Sequence, residues 1–381
     1  MVDQSALRRK VAIAGVGATS SGTSDKDSYR LAVEALRLAL DDSAISRSEI
    51  DGVLGWTLVS EGGGFKQGVT PHEFCQMTGM NPRVAGSLAY GTGGFTTQYA
   101  AFLVASGVCD VVLCVFAMNP GSSVGRPVGA SVFDGIYGYA NAGAYAGLGW
   151  TEFATRVGAS DDVLGHIAVT QRSNAVLNPD AAWREPLSMA DYLNEPYLIW
   201  PLRSLDLARR TAGAVAIIIT SAERARDCPK APVYFEAVGR QQAPRNLETP
   251  GYFTCLPMTQ VANQVYEASG VGPQDIGVLG VSDASSVAVA QTLVNYGFCS
   301  EEGLEEFVGS GALSVGGTTP TNTDGGQLSC GYLVGWLHQV ELVRQLRSEA
   351  HGPQVASPRL AQYCTTGGAR EHFLSTIYSI D

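Results

Sequence analysis

The chain has 381 residues, of which 45% are hydrophobic and 16% are charged, and its formal net charge is −11 at pH 7. This length and composition predict a large buried core, arranged as two domains or as one duplicated fold. The negative charge argues against nucleic acid or an anionic membrane surface as the main partner, but it is compatible with a local basic pocket for a phosphorylated ligand.

The 8 cysteines are scattered and form no CxxC pair. Neither structural zinc nor a disulfide framework is therefore expected, and we predict no metal site. No signal-peptide pattern and no apolar run of about 18 residues is found. These features predict a cytoplasmic protein without a membrane span.

The first half alternates strand-like and helix-like segments. Residues 11–17 predict a buried strand of a parallel sheet, and the apolar spacing of residues 27–42 predicts a helix. Further buried strands are predicted at residues 50–56, 110–117 and 213–220. Residues 119–200 lack clean periodicity and are too long for a plain loop, so we predict an inserted subdomain with a helix near 161–177.

A glycine-rich elbow connects a short apolar run to a helix that stops at Gly107. The run ends at Tyr90, and Gly91, Gly93 and Gly94 follow. Such an elbow presents one side chain and several free N–H groups at the positive end of a helix dipole. Enzymes that act on carbonyls often place a nucleophile there, whereas this chain has a tyrosine.

The second half repeats features of the first. Gly52-Val-Leu-Gly55 recurs as Gly277-Val-Leu-Gly280, and each copy follows a helix and an acidic turn. We infer an internal duplication, with halves at residues 1–225 and 226–381 related by a pseudo-twofold axis. Ligand sites in such folds lie at strand carboxyl ends and helix N-termini.

Three stretches of the second half carry candidate functional residues. They are the strand end at Ser282-Asp283, the glycine-rich turn Asn322–Tyr332 and the stretch Gln362–Gly368. From the residues alone, Asp283 is either a catalytic group or the N-cap of a following helix. Tyr332 is either a packed core tyrosine or a catalytic group.

These elements, in this order, resemble the thiolase superfamily and, within it, the lipid-transfer-protein-like or sterol-carrier-like thiolases. The phrase Asn322-x-x-Gly-Gly-x-x-x-x-Gly-x-x-x-Gly335 carries the resemblance, which covers essentially the whole chain. It implies an α/β thiolase fold in which two duplicated βαβαβαββ halves form five αβαβα layers. The segment at about 119–200 is then the inserted loop subdomain of the first half.

The catalytic groups of that superfamily are replaced in this chain. Tyr90 stands at the position of the acylated cysteine, and Tyr332 at that of the histidine of the Gly-His-Pro motif. Ser282 replaces a second histidine beside a retained Asp283, and Cys364 loosely matches the proton-shuttling cysteine. Because Claisen chemistry needs a thiolate and an activating histidine, we predict that the chain is not a Claisen thiolase.

One branch of the superfamily carries tyrosine in place of that cysteine, and the chain is similar to it at Tyr90, Asn322–Leu328 and Tyr332. This branch comprises the lipid-transfer-protein-type steroid side-chain aldolases, which act with a partner protein bearing a DUF35 (OB-fold) domain. The resemblance implies retro-aldol cleavage of a bulky, steroid-derived β-hydroxyacyl-CoA to a ketone and a short acyl-CoA. Coenzyme A enters as a thioester substrate, and no cofactor is implied.

The resemblance also implies roles for individual residues. Retro-aldol cleavage needs a base for the β-hydroxyl proton and a site that holds the enolate oxygen. Tyr332 is the expected base if a helix N-terminus lowers its pKa from about 10, and the other catalytic candidates are Asp283 and Tyr90. Backbone and oxyanion geometry is expected from Asn322, Gly91, Gly325, Gly326 and Gly331. Pocket positions are expected at Tyr296, Ser282 and Cys364.

The same branch carries Tyr-Asp-His where this chain has Ser282-Asp283-Ala284. This difference leaves an alternative open, namely a catalytically silent thiolase-like subunit that binds acyl-CoA or lipid and supports an active partner. Analogy with thiolases implies a homodimer, or an α2β2 complex with the DUF35 protein.

Overall fold

The computed structural model describes residues 7–59, 66–88, 92–120, 142–243, 256–367 and 372–381. The strands are β1 (Val11–Ala18), β2 (Gly52–Gly55), β3 (Thr57–Val59), β4 (Lys66–Gly68), β5 (Val84–Ser87), β6 (Val111–Met118), β7 (Tyr197–Ile199), β8 (Leu202–Arg203), β9 (Gly213–Ser221), β10 (Val233–Gln242), β11 (Val278–Val281), β12 (Leu360–Gly367) and β13 (His372–Ser379). The helices are α1 (Ser28–Ser43), α2 (Pro71–Thr78), α3 (Gly93–Ala105), α4 (Ala142–Val157), α5 (Asp162–Val176), α6 (Met189–Asn194), α7 (Ala222–Arg226), α8 (Leu256–Ser269), α9 (Ser286–Asn295), α10 (Leu304–Gly309), α11 (Gly326–Ser329) and α12 (Trp336–Arg347).

The main sheet has the strand order β5-β2-β6-β9-β1-β10-β13-β12-β11. In the first half, β2 pairs in parallel with β5 and β6, and β9 then pairs antiparallel with β6 and β1. The second half repeats this scheme, because β11 pairs in parallel with β12, and β13 pairs antiparallel with β12 and β10. The two halves meet where Ala12 and Ile13 pair with Val233 and Tyr234.

The sequence repeat marks equivalent strands. Gly52–Gly55 is β2, and the second copy overlaps β11 with an offset of one residue. A short 3₁₀ turn precedes each strand, at Arg47–Glu49 and at Pro273–Asp275. The predicted division of the chain between residues 225 and 226 falls in α7, which lies between the last strand of the first half and β10.

The predicted helices and buried strands of the first half are confirmed, whereas the predicted parallel pairing of the first strand is wrong. Asp27 caps α1 by accepting a hydrogen bond from the N–H of Arg30. Strand β1 runs antiparallel to both of its neighbours, β9 and β10. A strand buried on both faces is apolar in either orientation, so its composition carries no information about direction.

Two helices lie between the halves and form the central layer. Helix α3 packs on β6, β9 and β13, and α12 packs on β11, β12, β1 and β9, while α1 and α8 cover the outer faces. Gln339 of α12 joins these layers, because its Oε1 accepts from Thr97 Oγ1 at 2.6 Å and from Tyr378 Oη at 2.8 Å. The resulting α-β-α-β-α stack brings the N-termini of α3 and α12 together, where the N–H of Gly93 donates to the carbonyl of Val334.

The inserted segment contributes α4, α5, α6 and the β7–β8 hairpin, and the helix predicted near 161–177 is confirmed as α5. Helix α5 packs against α9, α10 and α11 and thereby reaches the glycine-rich turn. Throughout the part of the chain that the structure describes, every helix is too short or too polar to cross a membrane.

Gly335 is expected to be the least replaceable glycine of this central layer. Its φ of +78° is left-handed, and a Cβ atom there would lie 2.1 Å from Tyr363 Oη. Gly335→Ala should lower the free energy of unfolding by about 2–5 kcal/mol, since backbone strain and overpacking add. Gly107→Ala is the control, because Gly107 has φ of +70° but no atom near the added Cβ, so strain of about 1–2 kcal/mol is expected. Equal losses in urea unfolding would contradict this packing.

Candidate active site

The glycine-rich turn is clamped to the end of β11 by Asn322. Its Oδ1 accepts from the N–H of Val281 at 2.8 Å, and its Nδ2 donates to the carbonyl of Val281 at 3.0 Å. Asn322 itself has a left-handed φ of +49°. The side-chain amide therefore pairs with the backbone of β11 as a neighbouring strand would, and it fixes the start of the turn beside Ser282 and Asp283.

The predicted oxyanion glycines use their N–H groups inside the turn. The N–H of Gly325 donates to the carbonyl of Asn322, that of Gly326 to Asp324 Oδ1, and that of Gly331 to the carbonyl of Gly326. Their contribution is thus to the conformation of the backbone. Gly326 shows why a side chain is not tolerated, because a Cβ there would lie 2.4 Å from Asp283 Oδ2.

Asp283 is completely buried and accepts hydrogen bonds from two backbone groups of the turn. The N–H groups of Gln327 and Leu328 donate to its carboxylate at 2.8 and 3.2 Å. Burial raises the pKa of Asp283, and these donors oppose that effect. Asp283 does cap a helix, but the helix is α11, more than forty positions along the chain, and not α9, which directly follows it.

His338 is the third donor to this carboxylate, and it was not among the residues predicted from the sequence. Its Nε2–H lies 2.8 Å from Asp283 Oδ1, both side chains are buried, and the carboxylate raises the pKa of His338. The Nε2 atom of the imidazole is therefore committed to Asp283. No short motif signals the pair, because the two residues are 55 positions apart.

Ser282 lies in a hydrogen-bonded chain that ends on helix α12. Gln327 Nε2 donates to Ser282 Oγ at 3.3 Å, and Gln327 Oε1 accepts from the N–H of Gly335 at 2.8 Å. Gln327 was likewise not predicted as a site residue. Its amide holds the strand end and the start of α12 at a fixed separation.

Tyr332 lies in the turn between α11 and α12 and is half-buried. Its backbone forms a parallel bridge with Arg210, in the segment that leads into β9. Burial raises the pKa of Tyr332, and the charge of Arg210 acts in the opposite direction. The lowered pKa expected for this residue is therefore not found, because the loss of solvent outweighs the nearby positive charge.

Tyr90 and Gly91 lie outside the described residues, which resume at Thr92 at the start of α3. Tyr296 and Cys364 lie together in a second buried cluster, where Cys364 Sγ is 3.6 Å from Ser375 Oγ. Side chains alternate along β12, so Cys364 and Tyr363 face opposite sides. Burial raises the pKa of Cys364 to about 12, which keeps its thiol protonated at neutral pH.

A buried acidic pair, Asp324 and Glu341, lies behind the turn and lines a small, partly open cavity. Glu341 of α12 accepts hydrogen bonds from Thr323 Oγ1 and Gln345 Nε2, each at 2.7 Å. Burial and the neighbouring Asp324 raise the pKa of Glu341 to about 7, against the effect of these bonds and of Arg344. Asp324 accepts from the N–H of Gly326 and Glu341 from Thr323, so the pair holds the turn through contacts separate from those of Asp283.

Among the described residues of the site, the tyrosine hydroxyls are acid–base groups that these hydrogen bonds leave available. The carboxylate of Asp283 and the imidazole of His338 bind each other, and the glycine N–H groups are engaged. Within the described ranges, the site thus offers proton transfer by Tyr332 next to a rigid turn. The arrangement suits bond cleavage by acid–base chemistry more than covalent acyl transfer.

Comparison with known proteins identifies relatives along nearly the whole chain. Residues 239–380 match the family "Thiolase C-terminal domain-like". The chain is 31% identical to a steroid side-chain-cleaving aldolase of Thermomonospora curvata, over 90% of this chain and 92% of that protein. It is 32% identical to a 17-hydroxy-3-oxo-4-pregnene-20-carboxyl-CoA lyase of Mycobacterium tuberculosis, over 91% and 94%. Among solved structures, the Ltp2–ChsH2(DUF35) aldolase superposes with a TM-score of 0.88 at 27% identity, covering 99% of both chains.

Glu341 predicts a particular dependence of stability on pH. Its pKa of about 7 in the native state exceeds the unfolded value of about 4.3, so the native state alone binds this proton between those values. Its contribution to the free energy of unfolding therefore falls as pH rises from 4.5 to 7. Glu341→Gln keeps both hydrogen bonds and removes the titration, so the variant should gain up to about 3 kcal/mol relative to the unchanged protein over that interval.

Urea unfolding at several pH values checks this prediction. Glu267→Gln, on the exposed face of α8, is the matched control and should follow the unchanged protein. A constant difference between the Glu341 variant and the unchanged protein across pH 4.5–7 would contradict the prediction.

Proposed function

Because the chain belongs to the steroid side-chain aldolases of the thiolase superfamily, we propose that it cleaves a bulky, steroid-derived β-hydroxyacyl-CoA to a ketone and a short acyl-CoA. The family, the thiolase fold and the carbon–carbon lyase activity predicted from the sequence are confirmed. The substrate proposal rests on sequence similarity to two lyases. The chain is 31% and 32% identical to them over 90% and 91% of its length.

The proposed reaction uses the groups left available in the site. Tyr332 takes the proton of the β-hydroxyl, the Cα–Cβ bond breaks, and its electrons form the thioester enolate. The positive end of the α3 dipole stabilises the enolate oxygen, and a proton returned to Cα completes the acyl-CoA. We propose no cofactor besides the coenzyme A of the substrate itself.

A partner with a DUF35 domain is part of the proposal. The solved aldolase that superposes at a TM-score of 0.88 has such a domain in its name. The proposed homodimer places strand β5, which is an end strand of the main sheet, at the interface. Pairing of β5 with its copy would continue the sheet across a twofold axis, and two DUF35 chains would complete an α2β2 complex.

The assembly is tested by co-expression with a DUF35 protein and measurement of the mass by light scattering. We expect two copies of each chain, because pairing of the two β5 end strands would join two protomers. Ala85 is exposed at the middle of β5, and Ala85→Pro should separate the dimer into single copies. Ala268→Pro, in α8, is the control, because it should disturb folding without separating the dimer. A single copy of each chain in the unchanged complex would contradict the proposed assembly.

Tyr332→Phe tests the proposed chemistry. With the DUF35 complex and a panel of β-hydroxyacyl-CoAs, ketone release should fall by about 10²–10⁴-fold, because the base is lost, while binding of the CoA ester is kept. Since burial raises the pKa of Tyr332, the rate of the unchanged enzyme should rise with pH from 7 to 9 as the phenolate forms. The variant should lose this rise.

Tyr234→Phe is the control, because this tyrosine lies on β10 and bonds to Asp381 at the chain end. An unaltered rate in Tyr332→Phe would remove Tyr332 from the mechanism. The alternative of a silent acyl-CoA-binding subunit is favoured by the small residues Ser282 and Ala284. Tight CoA-ester binding without ketone release from any substrate would establish that alternative.

A further inference from the structure

The hydroxyl of Tyr363 is buried without a hydrogen-bond partner. The side chain projects from β12 and is 0% exposed, and its Oη lacks a donor or acceptor among the described residues. A buried polar group of this kind costs folding free energy, and such groups in native proteins call for an explanation. Tyr378, on the neighbouring strand, shows the usual solution, because its hydroxyl donates to Gln339 Oε1 at 2.8 Å.

The unpartnered hydroxyl lies where the N-termini of the two central helices meet. A Cβ atom added to Gly94, in the first turn of α3, would lie 2.5 Å from Tyr363 Cε1. A Cβ atom added to Gly335, just before α12, would lie 2.1 Å from Tyr363 Oη and 3.0 Å from Ser282 Oγ. Tyr363 Oη is therefore next to Ser282, and the Tyr363 ring and hydroxyl pack directly against two glycines, whose lack of a Cβ atom makes room for them.

Other polar groups converge on the same place. Thr92 Oγ1, at the start of α3, is also buried without a partner. Ser282 Oγ accepts from Gln327 Nε2, and its small side chain leaves room at the end of β11. The His338 ring lies 6.3 Å from the Tyr363 ring, but its Nε2–H is committed to Asp283. A hydroxyl cluster of Thr92, Ser282 and Tyr363 therefore lies at the positive ends of two helices.

This setting suits a proton donor. Burial raises the pKa of Tyr363, so the hydroxyl carries its proton at neutral pH. The helix N-termini act in the opposite direction, because they stabilise the negative charge of the phenolate that is left when the hydroxyl gives up its proton. The proposed cleavage requires a group of this kind, since the enolate becomes a stable acyl-CoA only when Cα is protonated. Tyr332, which has accepted the β-hydroxyl proton, acts on the other carbon of the broken bond.

We propose that Tyr363 is the catalytic acid that protonates the enolate carbon, an inference that rests on the proposed function. The β-hydroxyl proton passes to the Tyr332 phenolate, and the Cα–Cβ bond breaks to give the ketone and the thioester enolate. The Tyr363 O–H bond then breaks, its proton forms the new Cα–H bond, and the phenolate electrons stay on Oη. Proton exchange with water resets both tyrosines, so substrate and products balance without a further reactant.

Tyr363→Phe separates the two proton transfers in rapid-quench kinetics of the DUF35 complex. Acid quenching converts bound enolate to acyl-CoA, so cleavage is measured even when protonation by the enzyme is slow. We expect a burst of about one ketone per active site at the unchanged rate, then steady turnover slowed about 100-fold or more. Tyr332→Phe should instead slow the burst itself.

Two further measurements distinguish this role from a structural one. The hydroxyl of Tyr363 has no hydrogen-bond partner within the described ranges, so Tyr363→Phe should unfold at the same or a higher temperature. Tyr378→Phe, the matched control, loses a hydrogen bond and should unfold at a lower temperature with normal kinetics. Steady turnover within twofold of the unchanged enzyme, or slowed turnover without a burst, overturns the assignment. Absence of cleavage by the unchanged complex overturns the proposed function and, with it, the role of Tyr363.

Discussion

The carboxylate of Asp283 is the contact on which the site depends. It is fully buried and receives the N–H groups of Gln327 and Leu328 together with the imidazole of His338. A buried carboxylate is costly unless such donors surround it, so the three segments that supply them must stay together. The end of β11, the glycine-rich turn and helix α12 are thereby held as one unit.

This unit gives the described part of the site an ordered geometry, although Ser282 and Tyr332 stand at positions where thiolases carry histidine. The glycine N–H groups close the turn on itself, and Asn322 joins it to β11 by pairing with the backbone of that strand. His338 Nε2 and the Asp283 carboxylate are bound to each other, so the carboxylate is not available to activate a nucleophile. In the proposed reaction, proton transfer falls to tyrosine hydroxyls, and the positive ends of α3 and α12 supply the electrostatic stabilisation.

Much of the fold and part of the site could be predicted from local pattern. Apolar runs located the buried strands, Asp27 marked the start of α1, and the repeated Gly-Val-Leu-Gly marked the duplication. The direction of β1 could not be predicted, because a strand buried on both faces is apolar in either orientation. In the site, the glycine-rich turn was recognisable because left-handed backbone needs glycine, and Gly325 and Gly326 have φ of +108° and +61°.

The sequence by itself determined the family, the duplicated architecture and the loss of the thiolase cysteine and histidine, because these depend on residue identity and short spacing. Tertiary structure alone decided which groups meet. His338 reaches Asp283 across 55 positions, and Tyr363 reaches Gly335 and Ser282 through the register of β12 beside β11. It also decided protonation, since burial raises the pKa of Tyr332 where a helix N-terminus alone would lower it. Burial and long-range pairing are properties of the packed chain, and no local pattern encodes them.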